Sequence, residues 1–156
     1  MSGVPEDPRT ATEVATTLLA ARTAKGLTYA DVAEALDKPL VWMTSALLGQ
    51  QPFDEETAHH LITLLDLDEG LLPQLVRVPW RGSFDPSAPP SDPTVYRLYE
   101  AIQVYGPALK ELIHEEFGDG IMSAIAFNVS FSRREDPHGD RVHIEFDGKF
   151  LGYSWD

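Results

Sequence analysis

Residues 27–53 read LTYADVAEALDKPLVWMTSALLGQQPF, and their reading decides the fold of the first half of the chain. Thr28 with Asp31 three residues on has the pattern of a capping box, in which a hydroxyl and a carboxylate close the first turn of a helix. Val32, Ala35 and Leu36 form the buried side of that helix, and Asp37-Lys38-Pro39 breaks it. A further helix is expected over residues 40–48, stopped at Gly49. Working outward, Val14, Leu18, Leu19 and Ala21 recur at helical spacing and end near Lys25-Gly26, a suitable C-terminal cap. Downstream, Asp54 caps a helix in which Ala58, Leu61, Ile62 and Leu65 share one face, and a short apolar segment follows over 71–78. Residues 1–10, polar and carrying Pro5 and Pro8, are expected to form a loose arm.

Two short helices joined by a tight turn, with small Ala33 near their crossing, look like a helix-turn-helix of the repressor type. A DNA-binding regulator is therefore the alternative to weigh. Groove reading needs Arg, Lys, Asn or Gln on the second helix, and LVWMTSALL offers none. Residues 1–80 carry five basic residues (Arg9, Arg22, Lys25, Lys38, Arg77) against twelve acidic ones, a net of −7, so phosphate contacts are few. The plainer reading, a helical bundle that packs and oligomerises, is preferred.

The second half changes character. WRGSFDPSAPPSD, between Pro79 and Pro93, is a proline-restricted connector. Asp92-Pro93 then starts a helix strongly, with Asp as cap and Pro at the first helical position. That helix is expected to reach about Tyr105, to be interrupted at Gly106-Pro107, and to be followed by another ending at Gly118. In the last third the period becomes two. Phe127, Val129 and Phe131 alternate with polar residues, as do Val142, Ile144 and Phe146, with Asp136-Pro137-His138-Gly139 as the turn between them. These are two strands, forming a hairpin or pairing across a subunit boundary. The fold class is α+β and mainly helical: a helix-turn-helix-like bundle over 1–80, a connector over 81–91, and a catalytic and dimerisation domain over 92–156 with an antiparallel sheet.

Composition bounds the function. The 156 residues are 43% hydrophobic, enough for a packed interior, and no apolar run approaches the roughly 20 residues that span a bilayer. The chain has no cysteine, which excludes disulfides and thiolate chemistry and fits a reducing, cytoplasmic compartment. The net charge of −13 argues against a nucleic-acid partner, and it requires any anionic substrate to be held by focused local cations.

Most candidate constellations fail on spacing. His59 and His60 point about 100° apart on a helix, and His114, His138 and His143 lack metal-ligand spacing, so no metal is expected. No phosphate-binding glycine motif and no nucleophile elbow around Ser123 occurs. Two features remain. Arg97 and Glu100 share one helix face, a pair that on a solvated surface is worth only about 0.3–0.5 kcal/mol. Here Tyr96, Leu98, Tyr99, Ile102 and Tyr105 surround it. The other is GDGIMSAIAF over 118–127, which offers close backbone approach, N–H groups and the Ser123 hydroxyl to an anion.

LLGQQPF (47–53), DPTVYRLYEAIQVYG (92–106), HEEFGDGIMSAIAF (114–127) and DGKFL (147–151), in that order, resemble the cyanase family, the cyanate hydratases or cyanate lyases. The resemblance runs from about Leu27 to Leu151. It implies that Arg97, Glu100 and Ser123 are catalytic, with Arg97 and Ser123 binding substrate. Ile121 and Ala124 are supporting candidates to line a small pocket. It implies a bicarbonate-dependent decomposition of cyanate through carbamate to ammonia and carbon dioxide, a step in nitrogen metabolism. No metal or organic cofactor is implied. It also implies interlocked strands in a dimer, five dimers in a homodecamer, and active sites at subunit interfaces. Residues 1–11 and the ending GYSWD depart from the pattern, which puts terminal contacts in question and leaves the three site positions untouched.

Overall fold

A computed structural model describes residues 8–79 and 89–155. The expected arm up to residue 7 and residues 81–88 of the connector lie outside them. Among the described residues, six helices and one two-stranded sheet follow in order: α1 Pro8–Ala24, α2 Tyr29–Ala35, α3 Leu40–Leu47, α4 Glu55–Leu65, a 3₁₀ turn Glu69–Leu71, α5 Leu72–Val76, α6 Pro93–Phe117, β1 Gly120–Arg134 and β2 Arg141–Gly152. Two compact units result, Met1–Gly82 with Ser130–His143 and Ser83–Val129 with Ile144–Asp156. Among the described residues, no helix is long and apolar enough to cross a membrane.

In the helical unit the ends of the elements are set by local chemistry. Thr28 and Asp31 make both bonds of the capping box: Asp31 N–H donates to Thr28 Oγ1 (3.0 Å) and Thr28 N–H to Asp31 Oδ2 (2.7 Å). Gly26 ends α1 at φ 67°, and Asp37, at φ 51°, turns the chain between α2 and α3. Helix α1 begins at Pro8, so the last three residues of the stretch expected to be loose, 8–10, are helical. The apolar faces meet in one core, where Leu18, Val32, Met43, Ala46, Leu47, Leu61, Ile62, Leu65 and Leu75 are all buried. Ala33, 5% exposed, is the small residue expected near the packing of α2 and α3, whereas Ala35, expected on the buried side of α2, is exposed. Trp42 meets Phe53 edge to face, with ring centroids 5.8 Å apart.

Asp54 caps α4 and carries a testable consequence. It accepts from Thr57 N–H (2.8 Å), Thr57 Oγ1 (2.6 Å) and Lys38 Nζ (3.3 Å). The Thr57 hydroxyl, then the Thr57 N–H, hold its carboxyl down to about 2, with desolvation opposing and Lys38 adding a little. A carboxyl depressed in the folded state stabilises the protein above its unfolded value of about 3.8, and the contribution is lost as pH falls through about 2. Asp54→Ala is expected to cost about 1 kcal/mol at neutral pH. In urea titrations the gap between parent and Asp54→Asn is expected to close as pH drops from about 4 toward 2. A gap unchanged over that window would remove the ionised carboxylate from the account.

The second unit departs from expectation in its helix. Asp92 accepts from Val95 N–H (2.9 Å), Pro93 lies in the first turn, and α6 then runs unbroken for 25 residues to Gly118, where φ is 92°. The interruption expected at Gly106-Pro107 does not occur. Pro107 sacrifices one donor, but Gln103, the residue whose carbonyl loses that partner, is exposed to water, and the rest of the ladder persists on both sides. No residue of α6 is buried.

The strands form a hairpin within the chain and are longer than their alternating cores. β1 begins at Gly120, so most of GDGIMSAIAF (118–127), the segment expected to offer backbone N–H groups and a hydroxyl to an anion, is strand. β1 has fifteen residues and β2 twelve. Over Ser123–Ala126 a side-chain oxygen, Ser123 Oγ, takes backbone donors of its own strand. At the base, Phe117 stacks on Phe150 (5.0 Å), and Tyr153 N–H donates to the Asp119 carbonyl (3.0 Å).

Candidate active site

Helix α6 positions the first two candidates. One turn past its cap, Arg97 Nη1 donates to Glu100 Oε2 at 2.5 Å, an (i, i+3) ion pair. The hydrogen bond to Glu100, then its charge, raises the Arg97 guanidinium above its ordinary value, so it is always cationic. The Arg97 side chain is nevertheless 74% exposed and that of Glu100 44% exposed. Tyr96, Leu98, Tyr99 and Ile102, read as apolar bulk around the pair, are 37–52% exposed in the single chain. One η nitrogen is engaged by Glu100, and the guanidinium remains open to a further acceptor from solvent.

β1 supplies the others. Ser123 is 5% exposed, and its Oγ accepts from the N–H groups of Ile125 (3.1 Å) and Ala126 (3.0 Å). The N–H groups expected to be open to an anion are thus partly satisfied by the serine itself. Two N–H donors occupy the oxygen lone pairs and leave its proton as the group to offer, a stronger donor for the polarisation. This arrangement suits a hydrogen-bond donor and not a nucleophile, which would need a base. Ile121, 46% exposed, and Ala124, also exposed, flank Ser123. Among the described residues, no hydrogen bond or ion pair joins Ser123 to Arg97 or Glu100.

His114 was passed over by the sequence reading, which sought only metal partners for it. From the last turn of α6 its Nε2–H donates to the Gly120 carbonyl (3.1 Å), and its Nδ1 lies 3.6 Å from Asp119 Oδ1. It ties the end of the helix to the start of the strand that bears Ser123. The signal was its spacing of four to six residues from Gly118-Asp119-Gly120. Among the described residues, no group of three His, Cys, Asp or Glu side chains has the arrangement of a metal site.

Comparison with known proteins accounts for both halves. The family model "Cyanate hydratase, N-terminal" matches residues 11–79, and "Cyanate lyase C-terminal domain" matches residues 87–155. The cyanate hydratase of Mycolicibacterium vanbaalenii is 59% identical over 88% of this chain and 90% of its own length. That of Dechloromonas aromatica is 50% identical over 90% and 95% respectively. The crystal structure of cyanase from T. urticae superposes with a TM-score of 0.79 at 38% identity, covering 90% of this chain and 97% of that one. Nothing in these comparisons favours a DNA-binding regulator, and the helix that a regulator would insert is built from LVWMTSAL, without a charged or amide side chain. With matches that span the bundle, the long helix and the hairpin alike, this chain belongs to the cyanate hydratase family.

Proposed function

We propose that the chain is a cyanase, a lyase that decomposes cyanate with bicarbonate to ammonia and carbon dioxide. The observation that carries the reading is its identity of about half or more to cyanate hydratases over nearly all of its length. In the reaction, a bicarbonate oxygen bonds to the cyanate carbon and gives a dianionic adduct. The bond between the bicarbonate carbon and that oxygen then breaks, carbon dioxide leaves, and one proton is taken up to give carbamate. Carbamate, with a further proton, falls to ammonia and a second carbon dioxide. Bicarbonate is a co-substrate, and the chemistry calls on no metal or organic cofactor.

The roles follow from charge. Two anions about 4 Å apart at an effective dielectric near 20 repel by roughly 4 kcal/mol, which a bidentate arginine offsets. Arg97 is the clamp that turns the bicarbonate oxygen toward the cyanate carbon, and the Ser123 hydroxyl donates to the adduct. Glu100 holds the Arg97 rotamer, with relay of a proton to the adduct as its other candidate role; Ile121 and Ala124 line the space for linear cyanate. One Arg97, partly neutralised by Glu100, is poorly matched to a dianion. The site is therefore assigned to an interface between copies of the chain, which duplicates Arg97 and Ser123 without extra sequence, in a homodecamer of dimers. The exposure of Arg97 and of the apolar side chains along α6 supports this assignment.

Incubation with cyanate is expected to release ammonia only when bicarbonate is present, with two carbon dioxide molecules formed per cyanate consumed. Ammonia formation independent of bicarbonate would replace this reading by direct hydrolysis. Sedimentation velocity is expected to give a species near ten times 17.3 kDa. A monomer active at full rate would exclude the shared site.

A further inference from the structure

Gly148 lies inside β2, where glycine is ordinarily unfavourable because it contributes no side chain to the sheet and weakens it. Its backbone gives no conformational reason for the choice, since it is absent from the positive-φ glycines 26, 49, 118 and 139. Space gives one. A Cβ at Gly148 would stand 2.8 Å from the carbonyl oxygen of Ser123, 3.0 Å from Met122 Sδ, and would run into Met122 Cγ. The methionine is flexible and can yield, whereas the Ser123 carbonyl is backbone and moves only if Ser123 moves. The neighbouring strand glycine, Gly152, is a contrast: a Cβ there would meet nothing closer than Phe150 Cε1 at 3.8 Å. A Cβ at Gly120, at the start of β1, would likewise run into the Leu151 carbonyl oxygen, but among these strand glycines it is Gly148 whose close backbone neighbour is Ser123.

Ser123 is also the hinge of its own surroundings, because its Oγ holds the N–H groups of Ile125 and Ala126. A push on its carbonyl shifts the hydroxyl and the two N–H groups it holds together. We propose that Gly148 is a positioning residue for Ser123: the missing Cβ is the room that lets β1 pass close to β2 at Ser123 and present the serine hydroxyl at its working place. The inference rests on the reading of Ser123 as a substrate-binding donor. It assigns to the glycine of DGKFL (147–151) a function in the site rather than in the turn or the fold.

Misplacement of a binding group by a fraction of an ångström to 1 Å costs tens-fold to about 10²-fold in rate. Gly148→Ala is expected to lower kcat/KM for cyanate by at least about 10-fold, and Gly152→Ala to leave it within about two-fold. The decisive comparison is made in a Ser123→Ala background. If Gly148 acts through the serine hydroxyl, adding Gly148→Ala there costs less than about two-fold, since the group it positions is already gone. The same loss in both backgrounds would show that the alanine harms the fold generally and would overturn the inference, as would parental activity in Gly148→Ala itself. Where turnover of Ser123→Ala is below detection, affinity for the oxalate dianion, measured by calorimetry, replaces turnover in the cycle. If Gly148→Ala alone does not fold, it is combined with Met122→Ala, which clears the side chain and leaves the Ser123 carbonyl as the one close atom. Failure of that variant to fold also counts against the inference, making Gly148 a residue of the fold. Ser123→Ala at parental activity would remove the serine's role, whereas an impaired Ser123→Ala beside an intact Gly148→Ala removes only that of Gly148.

Discussion

An Arg97→Lys variant is expected to fold as the parent does and to lose on the order of 10²-fold in kcat/KM for cyanate, and Arg97→Ala on the order of 10³-fold. The fold survives because Arg97 is 74% exposed on a helix with no buried residue, and its one ion pair on that surface is worth little to stability. Activity does not survive, because lysine presents a point charge where an adduct of two anions needs a planar fork with several fixed donors. Lysine also cannot donate to Glu100 and to a bidentate anion in the same geometry. Steady-state assays at saturating bicarbonate, with circular dichroism as the check on folding, measure the effect. Retention of more than about a third of parental turnover in Arg97→Lys would remove the bidentate clamp from the mechanism.

Glu100 gives the second large effect, and here the choice of substitution separates two roles. Its Oε2 takes Arg97 Nη1 at 2.5 Å, which fixes the guanidinium one turn above it. Glu100→Ala removes that acceptor and is expected to cost on the order of 10²-fold in turnover. Glu100→Gln keeps an oxygen acceptor of the same reach while removing the titratable group, and is expected to stay within about 10-fold of the parent. That outcome identifies a positioning role. Equal loss in the two variants, accompanied by disappearance of the acid limb of the pH–rate profile, would instead identify the carboxylate as the proton carrier.

The two halves of the chain differ in how far they can be read. In the helical bundle, apart from the start of α1, the reading of the boundaries was close because they are set by residues near them in the chain. Thr28 with Asp31, Asp54 with Thr57, and Gly26 at positive φ are local devices, and the core they frame follows the 3.6-residue period. Pro107 misled because a proline is a local signal whose outcome depends on the whole helix. With caps at Asp92 and Gly118 holding both ends and Gln103 exposed, one missing donor is not enough to divide α6. The start of β1 was missed for a related reason. Alternation is visible only from Phe127, and the preceding residues become strand through pairing with a segment more than twenty residues away.

The candidate site divides in the same way. That Arg97 and Glu100 share a face follows from helical geometry alone, and resemblance in the segments around them marked Ser123 as their companion. Sequence by itself thus determined the family, the helix carrying the charged pair and the chemistry that a cysteine-free, acidic chain can support. Only the tertiary structure decided that Ser123 is buried with its lone pairs filled by Ile125 and Ala126, that His114 fastens the strand to the helix, and that Gly148 leaves room beside the serine carbonyl. The physical reason is range. A cap or an (i, i+3) pair is a property of neighbours along the chain, whereas the place of a hydroxyl to within a few tenths of an ångström is set by whichever backbone passes behind it.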